Sequence, residues 1–138
     1  MARGSPVKPD SGRKPGWLTP PSGVPSFDAV EFDELSEMIG EDGVTELVWI
    51  FESETRHRLH RLEAGGQDLA TQVREMHTLK GAAATVAAPR LASLGFVAEQ
   101  AARDGVAPTA AGLAAIADAL EAFLVEVRAR NGGREAVL

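Results

Sequence analysis

The chain contains no cysteine, its aromatic residues amount to 5%, and glycine and proline gather at the start and in a few short breaks. Without cysteine there are no disulfides, no thiolate zinc sites and no cysteine nucleophile, and nothing in the composition specifies a redox compartment. Scarce aromatics give strands little support, whereas abundant alanine and leucine favour helices. No apolar run approaches the roughly 18 residues needed to span a bilayer, and the N-terminus lacks the apolar centre of a signal peptide. The expectation is a soluble cytoplasmic protein with no membrane partner.

What is present suffices for one helical domain. At 138 residues and 44% hydrophobic content the chain can bury a core, but hardly two. The net charge of −6 is uneven: residues 1–26 carry Arg3, Lys8, Arg13 and Lys14 against Asp10 alone, leaving +3 there and −9 on the remainder. A domain that acidic is a poor ligand for the phosphate backbone, so nucleic acid is not an expected partner.

Residues 1–26 hold Pro6, Pro9, Pro15, Pro20, Pro21 and Pro25 with glycine and serine between them, and show no helical or alternating period. They read as a flexible, disordered tail in which Trp17 and Leu18 form the one large apolar pair. Phe27, Val30, Leu35 and Ile39 predict a short helix over about 28–39, capped by Ser26 or Asp28 and stopped at Gly40. Asp42 and Gly43 read as a break. Val44, Leu47, Val48, Phe51, Leu59 and Leu62 then mark a long amphipathic helix over about 43–64, stopped by Gly65 and Gly66.

A third helix is predicted from Gln67 or Asp68 to about Val86, with Leu69, Val73, Met76, Leu79, Ala83 and Val86 inward. Pro89 suits a first turn and not an interior, so the chain is expected to break at about 87–88 and resume as a helix over 89–103, with Leu91, Leu94, Ala98 and Ala101 inward. Thr109 caps a last helix carrying Leu113, Ile116, Leu120, Leu124 and Val127, which frays at Asn131, Gly132 and Gly133. Short connections make neighbours antiparallel. The predicted architecture is all-α: an up-and-down antiparallel four-helix bundle over 27–131 with a short additional N-terminal helix, and a flexible C-terminus at 132–138.

Two clusters carry possible chemistry. Glu54, His57 and His60 share one side of the long helix at metal-ligand spacing, but Arg56, Arg58 and Arg61 around them would oppose a cation, so no metal site is expected. The stronger cluster is His77-Thr78-Leu79-Lys80-Gly81 followed by Ala82, Ala83 and Ala84. Helical spacing puts His77 beside Lys80, Gly81 and Ala84 on one basic, low and accessible face. Glycine inside a helix costs about 1 kcal/mol relative to alanine, and alanine follows three times over. Gly81 therefore points to a need for room beside the imidazole.

If the two helices fold back about position 88, His77 and Glu99 come level, eleven positions on either side. A carboxylate accepting the Nδ1 proton would fix the tautomer and leave Nε2 outward as a nucleophile. Lys80 is placed to neutralise phosphoryl oxygens as a mobile point charge, and Arg103, four residues beyond Glu99, either adds charge there or caps its helix.

This stretch is similar to the histidine-containing phosphotransfer (HPt) domain of bacterial and fungal phosphorelays. The match is carried by His77-Thr78-Leu79-Lys80-Gly81, by Arg90-Leu91-Ala92 and by Glu99 to Arg103, with weaker agreement from Phe27 to about Arg130. The resemblance implies a helical bundle, phosphorylation of His77 on Nε2, flanking roles for Lys80 and Gly81, and a hydrogen bond to the imidazole from Glu99. It implies exchange with an aspartate of response-regulator receiver domains, a hybrid histidine kinase upstream, no cofactor of its own and magnesium held by the partner's acidic pocket. Three departures stand out: Ala82 where members often have serine, Ala87 where they often have a second glycine, and Glu99 where some members have glutamine.

The leading expectation is a monomeric phosphorelay carrier without autonomous kinase activity. Two alternatives stay open: an adaptor that binds a receiver without transfer, and the phosphoacceptor domain of a chemotaxis-type histidine kinase. The docking face expected in each case is that around His77, with Gly81 and Ala84 allowing close approach.

Overall fold

Short polar side chains and glycines punctuate the chain where the helices begin and end. The computed structural model describes residues 23–130. Asp28 caps α1 (Ala29–Ala64) by accepting from Glu31 N–H at 3.0 Å, and Asp68 caps α2 (Leu69–Thr85) by accepting from Thr71 N–H at 2.8 Å. Pro89 opens α3 (Pro89–Arg103), where its missing N–H costs nothing. The Thr109 hydroxyl accepts from Gly112 N–H at 3.0 Å at the start of α4 (Ala110–Arg130). Among the described residues there are four helices and no strand.

The first element meets expectation at one point and departs from it at another. The run Ala29–Ala64 is kinked at Gly40, at φ 84° and ψ 162°, the residue at which the short first helix was expected to stop, and helical geometry resumes directly after it. Asp42 and Gly43 are helical and form no break. Val30 and Ile39, part of the apolar pattern that marks this segment, are exposed, and Phe32 is buried instead. The inner face runs through Phe27, Phe32 and Leu35, because the Phe27 ring sits between Phe32 at 5.1 Å and Phe123 at 6.1 Å. Leu69, the first residue of α2, is also exposed, and on α3 Ala102 is buried where Ala101 is only half-buried. The tail containing Trp17 and Leu18, and the predicted fraying at Asn131, Gly132 and Gly133, lie outside the described residues.

The core is aliphatic with a small aromatic centre. Met76, Leu79 and Ala83 of α2 and Val86 just beyond it meet Leu91, Leu94 and Ala98 of α3, and Ile116, Leu120, Phe123 and Leu124 of α4 close over Val44, Val48 and Phe51 of α1. Arg56 binds Glu121 while Arg130 binds Asp33, so α1 and α4 run antiparallel. A carboxylate on α2 ties it to α1: Glu75 accepts from Arg58 Nε at 2.9 Å and from Arg61 Nη2 at 3.1 Å.

The α2–α3 turn aligns the pair that matters for function. Ala87 has φ 69°, its N–H donates to Ala84 O, and Ala88 N–H donates to Ala83 O, a Schellman arrangement. Residues before α1 brace this turn. Asp28 N–H donates to Ala87 O, Arg90 N–H to Pro25 O, and Arg90 Nε to Val24 O, each at 3.0 Å.

Candidate functional site

His77 stands on the outer side of α2 with 64% of its side chain exposed, while Glu99 on α3 is 3% exposed. The helix period explains the difference. Met76 and Leu79 turn inward and carry His77 outward, whereas Glu99 directly follows the buried Ala98 on the face of α3 that packs against α2. The antiparallel hairpin brings them together, with His77 Nδ1 at 3.1 Å from Glu99 Oε2. An ionised carboxylate only accepts, so Nδ1 carries the proton in this contact and Nε2 is left as the basic nitrogen of the neutral ring.

Two cations converge on the same carboxylate. Lys80 Nζ lies 2.9 Å from Glu99 Oε1, and Arg103 Nη2 donates to Oε2 at 2.7 Å. Burial alone would push the Glu99 carboxyl up, but hydrogen bonds from Lys80, Arg103 and His77 outweigh it and hold the group down at about 2. It is therefore ionised throughout the physiological range. Two cations against one anion leave the patch net positive beside the imidazole, within a chain whose net charge is −6.

Lys80 was read from sequence as a mobile charge, but it is engaged by α3: besides Glu99, its ammonium lies 5.5 Å from the centroid of the Phe96 ring. Arg103 sits in the last turn of α3, where a cation also suits the helix dipole, and its guanidinium reaches back one turn to Glu99. Gly81 and Ala84 are exposed on the His77 side of α2, and a Cβ built at Gly81 would meet nothing within 4 Å. The bundle itself does not require glycine there.

Two residues of this neighbourhood were not singled out from sequence. Gly95 is buried, and a Cβ placed on it would lie 3.1 Å from the backbone nitrogen of Lys80; Phe96 is half exposed beside the Lys80 ammonium. The available signal was a lone glycine inside a helical run, which ordinarily marks a packing or functional constraint.

The histidines of the other cluster stay apart from any such network. His57 and His60 are exposed on α1, and among the described residues no group of three or more histidine and acidic side chains is placed to hold a metal ion. The neighbouring arginines have carboxylate partners, Arg56 with Glu52 and Glu121, Arg58 and Arg61 with Glu75. Among the described residues no helix is long and apolar enough to cross a membrane.

Comparison with known proteins agrees with the geometry. The family model described as "Hpt domain" matches residues 46–129, which include His77, Lys80, Gly81, Ala84, Glu99 and Arg103 and exclude nearly the first half of α1 and everything before it. No curated protein and no solved structure gives a significant match. With more than half of its length under that one match, the chain belongs to the Hpt domain family, whose domain implies histidine phosphotransfer in two-component signalling.

Proposed function

We propose that this chain is a phosphorelay intermediate that takes a phosphoryl group from a receiver-domain aspartate onto His77 and passes it to the aspartate of a second receiver. The observation that carries the reading is the contact of His77 Nδ1 with a buried, ionised Glu99, which leaves Nε2 as the basic nitrogen of an exposed ring. In the forward step the Nε2 lone pair attacks phosphorus, the bond to the aspartyl oxygen breaks, and the carboxylate departs with the electron pair. The ring then carries phosphate on Nε2 and a proton on Nδ1, and its positive charge faces the Glu99 carboxylate. Transfer onward reverses these bonds at the second receiver. Positioning and charge stabilisation supply most of the acceleration, as is usual for phosphoryl transfer.

In this reading Lys80 and Arg103 set the charge of the patch while Gly81 and Ala84 leave space for the receiver's active-site loops. The domain is an up-and-down bundle whose α2–α3 face forms the docking surface, with the start of α1 as a short arm before the Gly40 bend. It works as a cytoplasmic monomer without a cofactor or metal of its own, and the magnesium ion belongs to the receiver. A hybrid histidine kinase supplies the first receiver.

The test is transfer from a phosphorylated receiver, with acid-labile label measured on each chain. Label is expected on the parent and on neither His77→Ala nor His77→Gln. Equal labelling of parent and His77→Ala would overturn the proposal, and binding of the receiver without any transfer would favour an adaptor instead.

A further inference from the structure

Lys80 is held by α3 through both its backbone and its ammonium. A Cβ built on Gly95 would lie 3.1 Å from Lys80 N, 3.2 Å from Lys80 Cα and 3.3 Å from Lys80 Cβ, so α2 passes over α3 at this point with no room for a methyl group. Further out, the ammonium lies 5.5 Å from the Phe96 ring centroid and 2.9 Å from Glu99 Oε1. Gly95 and Glu99 are one turn apart on α3, and His77 and Lys80 are neighbours on one face of α2. Contacts therefore run from Gly95 to Lys80, from Lys80 to Glu99 and from Glu99 to His77.

We propose that Gly95 and Phe96 are positioning residues for phosphotransfer: they form a seat on α3 for Lys80, and the seat keeps the Glu99 carboxylate aligned with Nδ1 of His77. The inference rests on the phosphotransfer reading of His77 and adds to it the residues that set the distance between the two helices. Gly81 and Gly95 differ in kind here. The first is open and leaves room for something outside the chain, while the second is closed and makes room for α2 itself.

The physical reason is that the atoms facing Gly95 cannot yield independently. Two of the three are backbone atoms in the middle of α2, and a helix moves as a stiff unit. A methyl group at position 95 would push α2 outward by a few tenths of an ångström. His77, three residues from Lys80, would move with it, and a 3.1 Å hydrogen bond has little reserve before its geometry fails. Phe96 acts at the other end of the same side chain. Phe96 is 49% exposed, so the core does not demand an aromatic there, and the negative face of its ring attracts the ammonium that Glu99 also holds.

The imidazole 15N shifts of the 138-residue chain report which ring nitrogen holds the proton, with no receiver present. The parent is expected to show neutral His77 protonated on Nδ1. Gly95→Ala should move the ring toward the Nε2-protonated form and slow phosphoryl uptake about tenfold, in proportion to the small misplacement. Phe96→Leu keeps an apolar side chain but removes the ring face; it should shift the same signals in the same direction and abolish the upfield ring-current shift of the Lys80 methylenes next to the ammonium. Val127→Ala, a cavity on α4, should lower stability and leave the His77 signals at parental values, which separates positioning from mere destabilisation. Parental imidazole shifts in either seat variant overturn the proposal; if Gly95→Ala fails to fold, Phe96→Leu decides alone. A parent that shows Nδ1 protonation but never accepts phosphate would instead count against the phosphotransfer reading.

Discussion

Glu99 is the residue on which the site turns, because one buried carboxylate is shared by an imidazole, an ammonium and a guanidinium. Its carboxyl is held down at about 2 against an ordinary value of 4.5. A depressed carboxyl contributes stability that is complete above its unfolded pKa and is lost as pH falls through the folded value. The stability difference between parent and Glu99→Gln, measured by urea denaturation, should thus be constant above about pH 4.5 and shrink between pH 4.5 and 2. Phosphoryl uptake by Glu99→Gln should fall by up to about a hundredfold, the scale of a misplaced reacting group. Gly81→Leu has a different signature: with nothing within 4 Å of the new Cβ on an exposed face, stability should change by less than about 1 kcal/mol, in the stabilising direction. Transfer from a receiver should nevertheless drop by more than about a hundredfold, because the obstruction lies where close approach is needed. An equal loss of helicity in circular dichroism would make Gly81 a packing residue.

At the scale of the elements, two helix ends with the same hydrogen-bond pattern use different residues. After α3, Gly105 takes φ 88° and Val106 N–H returns to Ala101 O at 2.8 Å; after α2, the equivalent left-handed position belongs to Ala87. A left-handed L-residue costs roughly 1–2 kcal/mol, and glycine escapes this at the expense of a more flexible unfolded chain. Ala87→Gly is therefore expected to stabilise the bundle by about 0.5–1 kcal/mol in chemical denaturation, and a destabilised variant would mean that the buried Ala87 methyl contributes more than its backbone costs. Periodicity and caps made the helices legible in sequence: Asp68, Pro89 and Thr109 lie where the corresponding helices start, and Gly65 and Gly105 lie at ends. The first helix was legible at Gly40, where the kink falls, and less so just after it. Asp42-Gly43 has turn chemistry, yet Val44 and Val48 are anchored in the core and the second helical stretch starts before the pair and runs through it.

For the whole molecule, α1 is joined to the site-bearing α2 through Glu75, which lies two residues before His77 and holds the nearly buried Arg58 together with Arg61. Burial would raise the Glu75 carboxyl, but hydrogen bonds from Arg58 and Arg61 carry it below the ordinary carboxylate range. Glu75→Ala would leave Arg58 without its carboxylate and should cost about 3 kcal/mol, while the double variant with Arg58→Met should recover most of that loss, since a well-packed apolar pair often replaces a buried ion pair at little cost. Urea denaturation of the two variants is the measurement, and equal stabilities would show that Arg61 and water already compensate. The same arginines explain why the histidines of α1 were a weak reading: Arg58 and Arg61 are directed to Glu75 on another helix, a destination that spacing within α1 could not reveal.

By itself the sequence determined what local physics determines. A 3.6-residue apolar period, capping side chains and Pro89 specify helices regardless of what surrounds them, and His77, Lys80 and Gly81 share a face wherever that helix is placed. The turn near position 88 even predicted the juxtaposition of His77 and Glu99, because an antiparallel hairpin has a register that counting can follow. Only the tertiary structure decided how charge is distributed in the site. Lys80 and Arg103 both lean on Glu99, and Gly95 matters because of a backbone 15 residues earlier in the chain. Side-chain direction and interhelical distance emerge from packing two helices together, and neither is encoded in the period of one.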